Sequence, residues 1–164
     1  MTDTAVRDAT VQGDTAGVSV PPPPVLFALG LAAGFFVDSL APTAGMPSLL
    51  RYGLGVPLLA AGVALVAWFR STFRRARTPI NLHRPTTAIV TSGPFRWTRN
   101  PAYVSLVLLY SGIALVTSTA WAIATLVPVL ATVRYAVIAR EERYLERKFG
   151  QAYREYRART RRWL

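Results

Sequence analysis

Two short segments of this sequence combine charged, amide and hydroxyl side chains in a pattern that could bind an anionic ligand. The first, residues 93–103, reads GPFRWTRNPAY and precedes an apolar run. Asn100 can cap the N-terminus of a helix, and Pro101 can occupy its first turn. Because the free amides of a helix N-terminus attract anions, Arg96 and Arg99 beside them would complete an anion site. The alternative is that both arginines only mark the end of a membrane helix. The spacing alone leaves the two interpretations open.

The second segment places charged residues on one extended helix. Seven residues separate Arg134 from Glu141, which is about two turns, so both are expected on nearly one face. A charge inside an apolar run costs at least ~2.5 kcal/mol, so Arg134 either has a partner or a function, or extends to the nearby interface. Glu141 and Glu142 either form ion pairs on a solvated helix or offer carboxylates to a ligand. Gly150 is expected to end this helix.

Few other residues could support catalysis or metal binding. His83 is the single histidine and lies in a proline-flanked loop, where it is either a solvated side chain or a general base. Asp38 is expected at a membrane interface. The sequence has no cysteine, which excludes disulfides and thiolate chemistry, and one histidine argues against a metal site.

The elements that must position these residues are apolar helices. Apolar residues make up 52% of the chain and charged residues only 16%, whereas soluble domains typically carry about a quarter charged residues. Four apolar segments, at about 25–40, 49–69, 102–117 and 120–148, approach the length of about 20 residues that a bilayer requires. The predicted fold class is therefore all-α, an integral membrane four-helix bundle. Gly30 and Gly34 have the spacing that permits close helix contact, although glycine is common in membrane helices in any case.

The net charge of +11 is concentrated in two blocks. Residues 70–101 and 140–164 carry sixteen of the nineteen basic residues, and each block flanks an apolar run. This pattern orients membrane helices and argues against a nucleic-acid partner. It predicts that both termini, the loop 70–101 and a C-terminal cap at 149–164 are cytoplasmic, and that the loop and the C-terminal helix together cover the bundle on that side. Residues 1–24 are expected to be a disordered tail, ending in a polyproline stretch at Pro21–Pro24.

The order of the two segments resembles a known superfamily. The run NLHRPTTAIVTSGPFRWTRNPAYVS, a helical hairpin and then EERYLERKFGQAYREYRARTRRWL are similar to the isoprenylcysteine carboxyl methyltransferases and phospholipid methyltransferases, especially their small bacterial members. The likeness covers about residues 70–164. It implies an S-adenosylmethionine-dependent methyltransferase in the bacterial inner membrane. A lipophilic acceptor, a carboxylate or an amine, would enter from the bilayer, and no obligatory protein partner is evident.

The resemblance also implies roles for individual residues. The implied cofactor-binding residues are Arg96, Arg99, Asn100, Pro101, Tyr103, Arg134, Glu141 and Glu142. The implied catalytic residues are Arg99, Glu142 and His83. Asn100 stands where the prenylcysteine enzymes often have histidine, which argues against a prenylcysteine acceptor more than against the cofactor.

The chemistry of the cofactor agrees with these roles. Its carboxylate suits Arg99 and helix amides, and its ribose diol and ammonium suit the two glutamates. Its sulfonium suits an aromatic face, such as that of Tyr103 or Tyr144. A carboxylate acceptor needs no base, whereas an amine must lose a proton, to a glutamate or to His83.

Three other functions stay open at the level of sequence. A small four-helix transporter would use Asp38 and Arg134 as its intramembrane charges. A related membrane reductase would bind a nicotinamide cofactor instead. A non-catalytic relative would have kept the cofactor fold alone.

Overall fold

The computed structural model of the protein describes residues 20–75 and 89–164, and over these ranges the chain is helical and contains no strand. The all-α prediction is confirmed to that extent. The α-helices are α1 (Pro23–Leu40), α2 (Gly55–Arg75), α3 (Pro101–Val116), α4 (Ala120–Thr132), α5 (Ala139–Phe149) and α6 (Gln151–Arg159).

Two wider, π-helical stretches lengthen the apolar helices. Leu49–Leu54 runs directly into α2, which gives a continuous helix of 27 residues. Val133–Ile138 joins α4 to α5, which gives a continuous helix of 30 residues. With the 18 residues of α1, the described part of the chain has three helices long and apolar enough to cross a membrane, whereas α3 is apolar but shorter.

Two boundaries differ from the sequence-based expectation. The chain stays helical to Arg75, although a loop was predicted from residue 70, because no glycine or proline interrupts it and arginine is a good helix former. α1 begins at Pro23, so Pro23 and Pro24 are helical and not polyproline. Proline is tolerated there because the first turn of a helix needs no amide donor. The predicted tail, up to residue 19, and the loop residues 76–88 lie outside the described ranges.

The helices pack as two close pairs, α1 with α4 and α2 with α3. A Cβ atom on Gly34 would lie 2.5 Å from the Cα atom of Ala122, so the backbones of α1 and α4 touch at this point. A Cβ atom on Gly112 would lie 2.9 Å from the carbonyl oxygen of Gly55, so α3 approaches α2 in the same way. The spacing of small residues in α1 therefore serves close packing.

A tight turn makes α3 and α4 antiparallel. Thr117–Thr119 connects the two helices, Ser118 adopts a left-handed backbone with φ of 62°, and the Thr119 amide donates to the Ala114 carbonyl at 2.9 Å. Between these helices and α1, Tyr110 bonds to Thr125 at 2.9 Å in the buried core. The hairpin brings the first turn of α3 to the same end of the molecule as α5.

We expect Gly34→Val to lower the free energy of unfolding by about 1–3 kcal/mol, because the added side chain meets the backbone of α4 and cannot be relieved by rotamer changes. Thermal unfolding of detergent-purified protein measures the effect. Ala33→Val is the matched control, since Ala33 is the exposed neighbour on α1. Equal melting temperatures for the two variants would contradict the close packing of α1 on α4.

Candidate functional site

The chain enters α3 through a turn that the end of α2 supports. Gly93–Arg96 forms one short 3₁₀ turn, and Gly93 has a φ of 61°. A Cβ atom on Gly93 would lie 2.5 Å from the hydroxyl of Thr72, so both the backbone angle and the space favour glycine. Pro101 occupies the first turn of α3, as predicted. The turn therefore fixes where residues 98–103 stand relative to α2.

The side chain of Asn100 does not cap α3, as was expected, but binds the backbone of Arg162. Asn100 is the N-cap residue of α3, but its side chain makes no capping hydrogen bond. Its Nδ2 atom donates instead to the carbonyl oxygen of Arg162 at 2.9 Å, and the Thr98 hydroxyl donates to the same oxygen at 3.1 Å. The backbone amide of Arg99 donates to the Arg161 carbonyl at 2.9 Å. Residues 160–164, which we call the C-terminal segment, are thus bound to the entrance of α3.

Glu142 is the most deeply buried carboxylate among the described residues, with 7% of its surface exposed. Arg162 donates to it in a bidentate arrangement, from Nε to Oε1 at 3.1 Å and from Nη2 to Oε2 at 2.6 Å. Arg99 forms a second ion pair with the same carboxylate, with Nη1 at 3.3 Å from Oε1. Paired, charge-assisted hydrogen bonds of this kind are short and fix the orientation of both groups.

Glu141 makes a separate contact with α3. The Tyr103 hydroxyl donates to Oε1 of Glu141 at 2.8 Å, and the Tyr103 side chain is buried. The adjacent carboxylates of Glu141 and Glu142, which we call the carboxylate pair, therefore contact different partners. Together they connect α5 with the beginning of α3 and with the C-terminal segment.

The guanidinium of Arg99 is buried, and two of its donor atoms lack a hydrogen bond to the described residues. The side chain is 10% exposed, and the Nε and Nη1 atoms have no hydrogen-bond partner within the described ranges. The contact of Nη1 with Glu142 is an ion pair without hydrogen-bond geometry. Buried donors almost always have a partner, so these two atoms mark a place where an acceptor is expected.

Two phenols beside Arg99 stay protonated. Burial and the charge of Glu142 raise the pKa of Tyr153, and Arg99 opposes that rise. Burial raises the pKa of Tyr156 to about 12, and its hydroxyl donates to the Phe95 carbonyl at 2.8 Å. Near neutral pH, these two tyrosines therefore add no negative charge to the surroundings of Arg99.

The structure brings together only part of the predicted site. Arg99, Asn100, Pro101, Tyr103 and the carboxylate pair surround the entrance of α3.

Arg96 and Arg134 lie apart from this group. Arg96 is exposed and lines a surface groove. Arg134 is also exposed, and its guanidinium lies 5.5 Å from the ring of its neighbour Tyr135. That Arg134 shares a face with Glu141 stays a prediction. Arg134 lies in the π-helical stretch Val133–Ile138, where the number of residues per turn differs from that of an α-helix. His83 lies outside the described residues.

The sequence argument missed Arg162 and Tyr153. Arg162 is one of nine basic residues between 140 and 164, and nothing in its local sequence separates it from the other eight. The aromatic spacing Tyr153–Tyr156 was a usable signal, because residues three apart on a helix share a face.

Comparison with known proteins now gives this arrangement a context. Residues 50–152, more than half of the chain, match the family described as phospholipid methyltransferase. The chain belongs to the phospholipid methyltransferase family. This confirms the resemblance to that superfamily. The matched range includes residues 99–103 and the carboxylate pair, and it ends before Arg162.

Other comparisons add less about this phospholipid methyltransferase family member. An uncharacterized protein of Haemophilus influenzae is 67% identical over 27 residues, which are 16% of this chain and 43% of that protein. The chain thus spans less than half the length of that curated relative. No solved structure matches the chain.

We expect Arg162→Gln to lower the free energy of unfolding by about 1–3 kcal/mol, because it removes a bidentate, charge-assisted contact with a buried carboxylate. The melting temperature of purified protein measures this loss. Arg157→Gln is the control, since its ion pair with Glu146 is exposed and contributes at most about 1 kcal/mol. A control as destabilised as Arg162→Gln would argue against a special role for the buried contact.

Proposed function

We propose that this protein transfers a methyl group from S-adenosylmethionine to a lipophilic acceptor at the cytoplasmic face of the membrane. The observation that carries the proposal is the buried Arg99 guanidinium just before α3, whose Nε and Nη1 atoms make no hydrogen bond with the described residues. An anionic group of a ligand would satisfy these donors. Family membership supports methyl transfer, and the helix N-terminus adds its own attraction for an anion.

The residues around Arg99 fit the polar groups of S-adenosylmethionine. Arg99 and the first amides of α3 suit its α-carboxylate. Glu141 and Glu142 offer carboxylate oxygens that suit its ammonium and ribose hydroxyls. Asn100 and Pro101 would support the site indirectly. Asn100 binds the C-terminal segment, and Pro101 begins α3.

The aromatic contact for the sulfonium is better supplied by Tyr103 than by Tyr144. Tyr144 is 38% exposed, and the Lys148 ammonium already lies 5.6 Å from its ring. Tyr103 is buried beside Glu141, where a cation–π contact would be stronger because water is excluded.

When bound, S-adenosylmethionine supplies an electrophilic methyl group for an in-line displacement. The tasks left to the protein are alignment of donor and acceptor and exclusion of water. Burial of Arg99, Tyr103 and Glu142 supports the second task. For an amine acceptor, Glu141 or His83 would take the proton, and for a carboxylate acceptor no base is needed.

The membrane placement belongs to the same proposal. The sixteen basic residues in 70–101 and 140–164 favour a cytoplasmic location for α5, α6 and both termini. The acceptor would then reach the site from the bilayer, and the donor would come from the cytosol. The α5–α6 region and the loop between α2 and α3 would form the cap over the site.

The alternative functions gain no support from the described residues. Asp38 lies in the last turn of α1, where the Thr43 hydroxyl donates to it at 3.2 Å. Arg134 is exposed beside Tyr135. The contacts of Asp38 and of Arg134 involve different residues. They do not form the connected arrangement that a transport pathway between these two charges would need.

We expect Arg99→Ala and Glu141→Ala each to weaken S-adenosylmethionine binding about tenfold or more, because a charged hydrogen bond contributes about 1.5–3 kcal/mol. Isothermal titration calorimetry on detergent-purified protein measures the dissociation constant, with S-adenosylhomocysteine as a second ligand and NADPH as the negative control.

Arg143→Ala is the matched variant, since Arg143 is exposed next to the carboxylate pair and should keep the wild-type affinity. A folded wild-type protein that binds no methyl donor would refute the proposed function. Binding of NADPH instead would favour the reductase. Unchanged affinity in both site variants would refute the assignment of the site while leaving the cofactor intact.

A further inference from the structure

A basic groove lies outside the candidate site. It has a volume of about 560 Å³ and is lined by Arg96, Trp97, Arg159, Arg161 and Leu164. Neither Arg99 nor the carboxylate pair lines it. We propose that this groove, which we call the arginine groove, binds the phosphate headgroup of an anionic phospholipid that is not the methyl acceptor.

The charge of the groove is the first argument. Three of its five lining residues are arginines, and none is a carboxylate. All three arginines are exposed, and none forms an ion pair with a described residue. Arg96 and Arg159 also line an adjoining groove, and the one carboxylate in its lining, Glu155, accepts a hydrogen bond from Gln151 at 3.2 Å. Guanidinium groups donate two parallel hydrogen bonds to phosphate oxygens, and this planar, bidentate geometry suits a phosphodiester.

The exposure of two large apolar residues in the groove is the second argument. Trp97 is 71% exposed although it is large and aromatic, and it lies four residues before α3 begins. Leu164, on the other wall, is 74% exposed. Exposed tryptophan is typical of the membrane–water interface, where the ring meets acyl chains and the indole N–H meets headgroups. The groove thus combines cationic and exposed apolar residues, which suits the level of lipid headgroups in the membrane placement proposed above.

A fixed backbone holds the arginines in place. Thr98 pairs with Arg161 in a short parallel bridge, and the Tyr156 hydroxyl bonds to the carbonyl of Phe95. The segment that carries Arg96 and Trp97 is therefore tied to α6 and to the C-terminal segment. A preorganised site loses less conformational entropy on binding than a flexible basic tail does. The inference depends on the membrane placement proposed above, but not on the methyl-transfer chemistry.

The test is a titration of detergent-purified, full-length protein with dihexanoyl-phosphatidylglycerol below its micelle concentration. Binding is followed by tryptophan fluorescence, and Trp97→Phe identifies the part of the signal that comes from the groove. Dihexanoyl-phosphatidylcholine tests the requirement for negative charge, and inorganic phosphate tests the requirement for a lipid.

The variant Arg96→Gln/Arg159→Gln/Arg161→Gln should bind phosphatidylglycerol at least tenfold more weakly than the wild type. The control Arg70→Gln/Arg74→Gln/Arg75→Gln removes the same charge from exposed positions at the end of α2 and should stay within twofold. If the first triple variant does not fold, the single variant Arg96→Gln, altered at an exposed side chain, should bind at least threefold more weakly.

Three results would overturn the inference. Equal affinity for the two phospholipids would show that charge is not recognised. Equal loss in both triple variants would show that net charge acts without a site. Binding of inorganic phosphate as tight as that of phosphatidylglycerol would show an ion site and no lipid recognition. Because no methyl donor is present, failure here leaves the proposed methyl transfer untouched.

Discussion

Burial of the Glu142 carboxylate is the constraint on which the rest of the site depends. A carboxylate that is 7% exposed is stable only if cations and hydrogen bonds replace the water that it has lost. Arg162 provides a bidentate contact and Arg99 provides a second charge. The two arginines come from the C-terminal segment and from the entrance of α3, so one buried charge holds three separate parts of the chain together. If any one of these parts moved away, Glu142 would lose at least one of its ion pairs with Arg99 and Arg162.

Helix geometry brings these three parts to one end of the molecule. The tight turn at Ser118 makes α3 and α4 antiparallel, and glycine contacts keep the pairs α1–α4 and α2–α3 close. The π-helical stretch Val133–Ile138 joins α4 to α5. Glu141 reaches Tyr103, whereas Arg134 is exposed beside Tyr135.

Arg96 and Arg99 are only three residues apart, but their different surroundings suit them to different ligands. Arg99 is buried, has two donors that make no hydrogen bond with the described residues and, in the proposed function, would bind the carboxylate of a methyl donor. Arg96 is exposed in a groove with two further arginines and suits a headgroup phosphate. Both residues fit the same sequence pattern, that of basic residues beside a helix N-terminus. Arg96 ends the 3₁₀ turn Gly93–Arg96, whereas the backbone of Arg99 bonds to the C-terminal segment, and no feature of the sequence specifies that difference.

The sequence by itself determined the helical class, the approximate positions of the apolar helices, the end of α5 at Gly150 and the family-like residues at the entrance of α3 and in α5. These follow from composition, hydrophobic run length and backbone preferences, which are local properties. Only the tertiary structure decided that Arg162 binds Glu142, that Asn100 binds the C-terminal segment and that Arg134 is exposed beside Tyr135. Arg134 lies in a stretch of changed helix pitch, and the first two contacts join residues twenty to sixty positions apart. Their free energy comes from desolvation and pairing of charges in the folded chain, which a linear pattern does not encode.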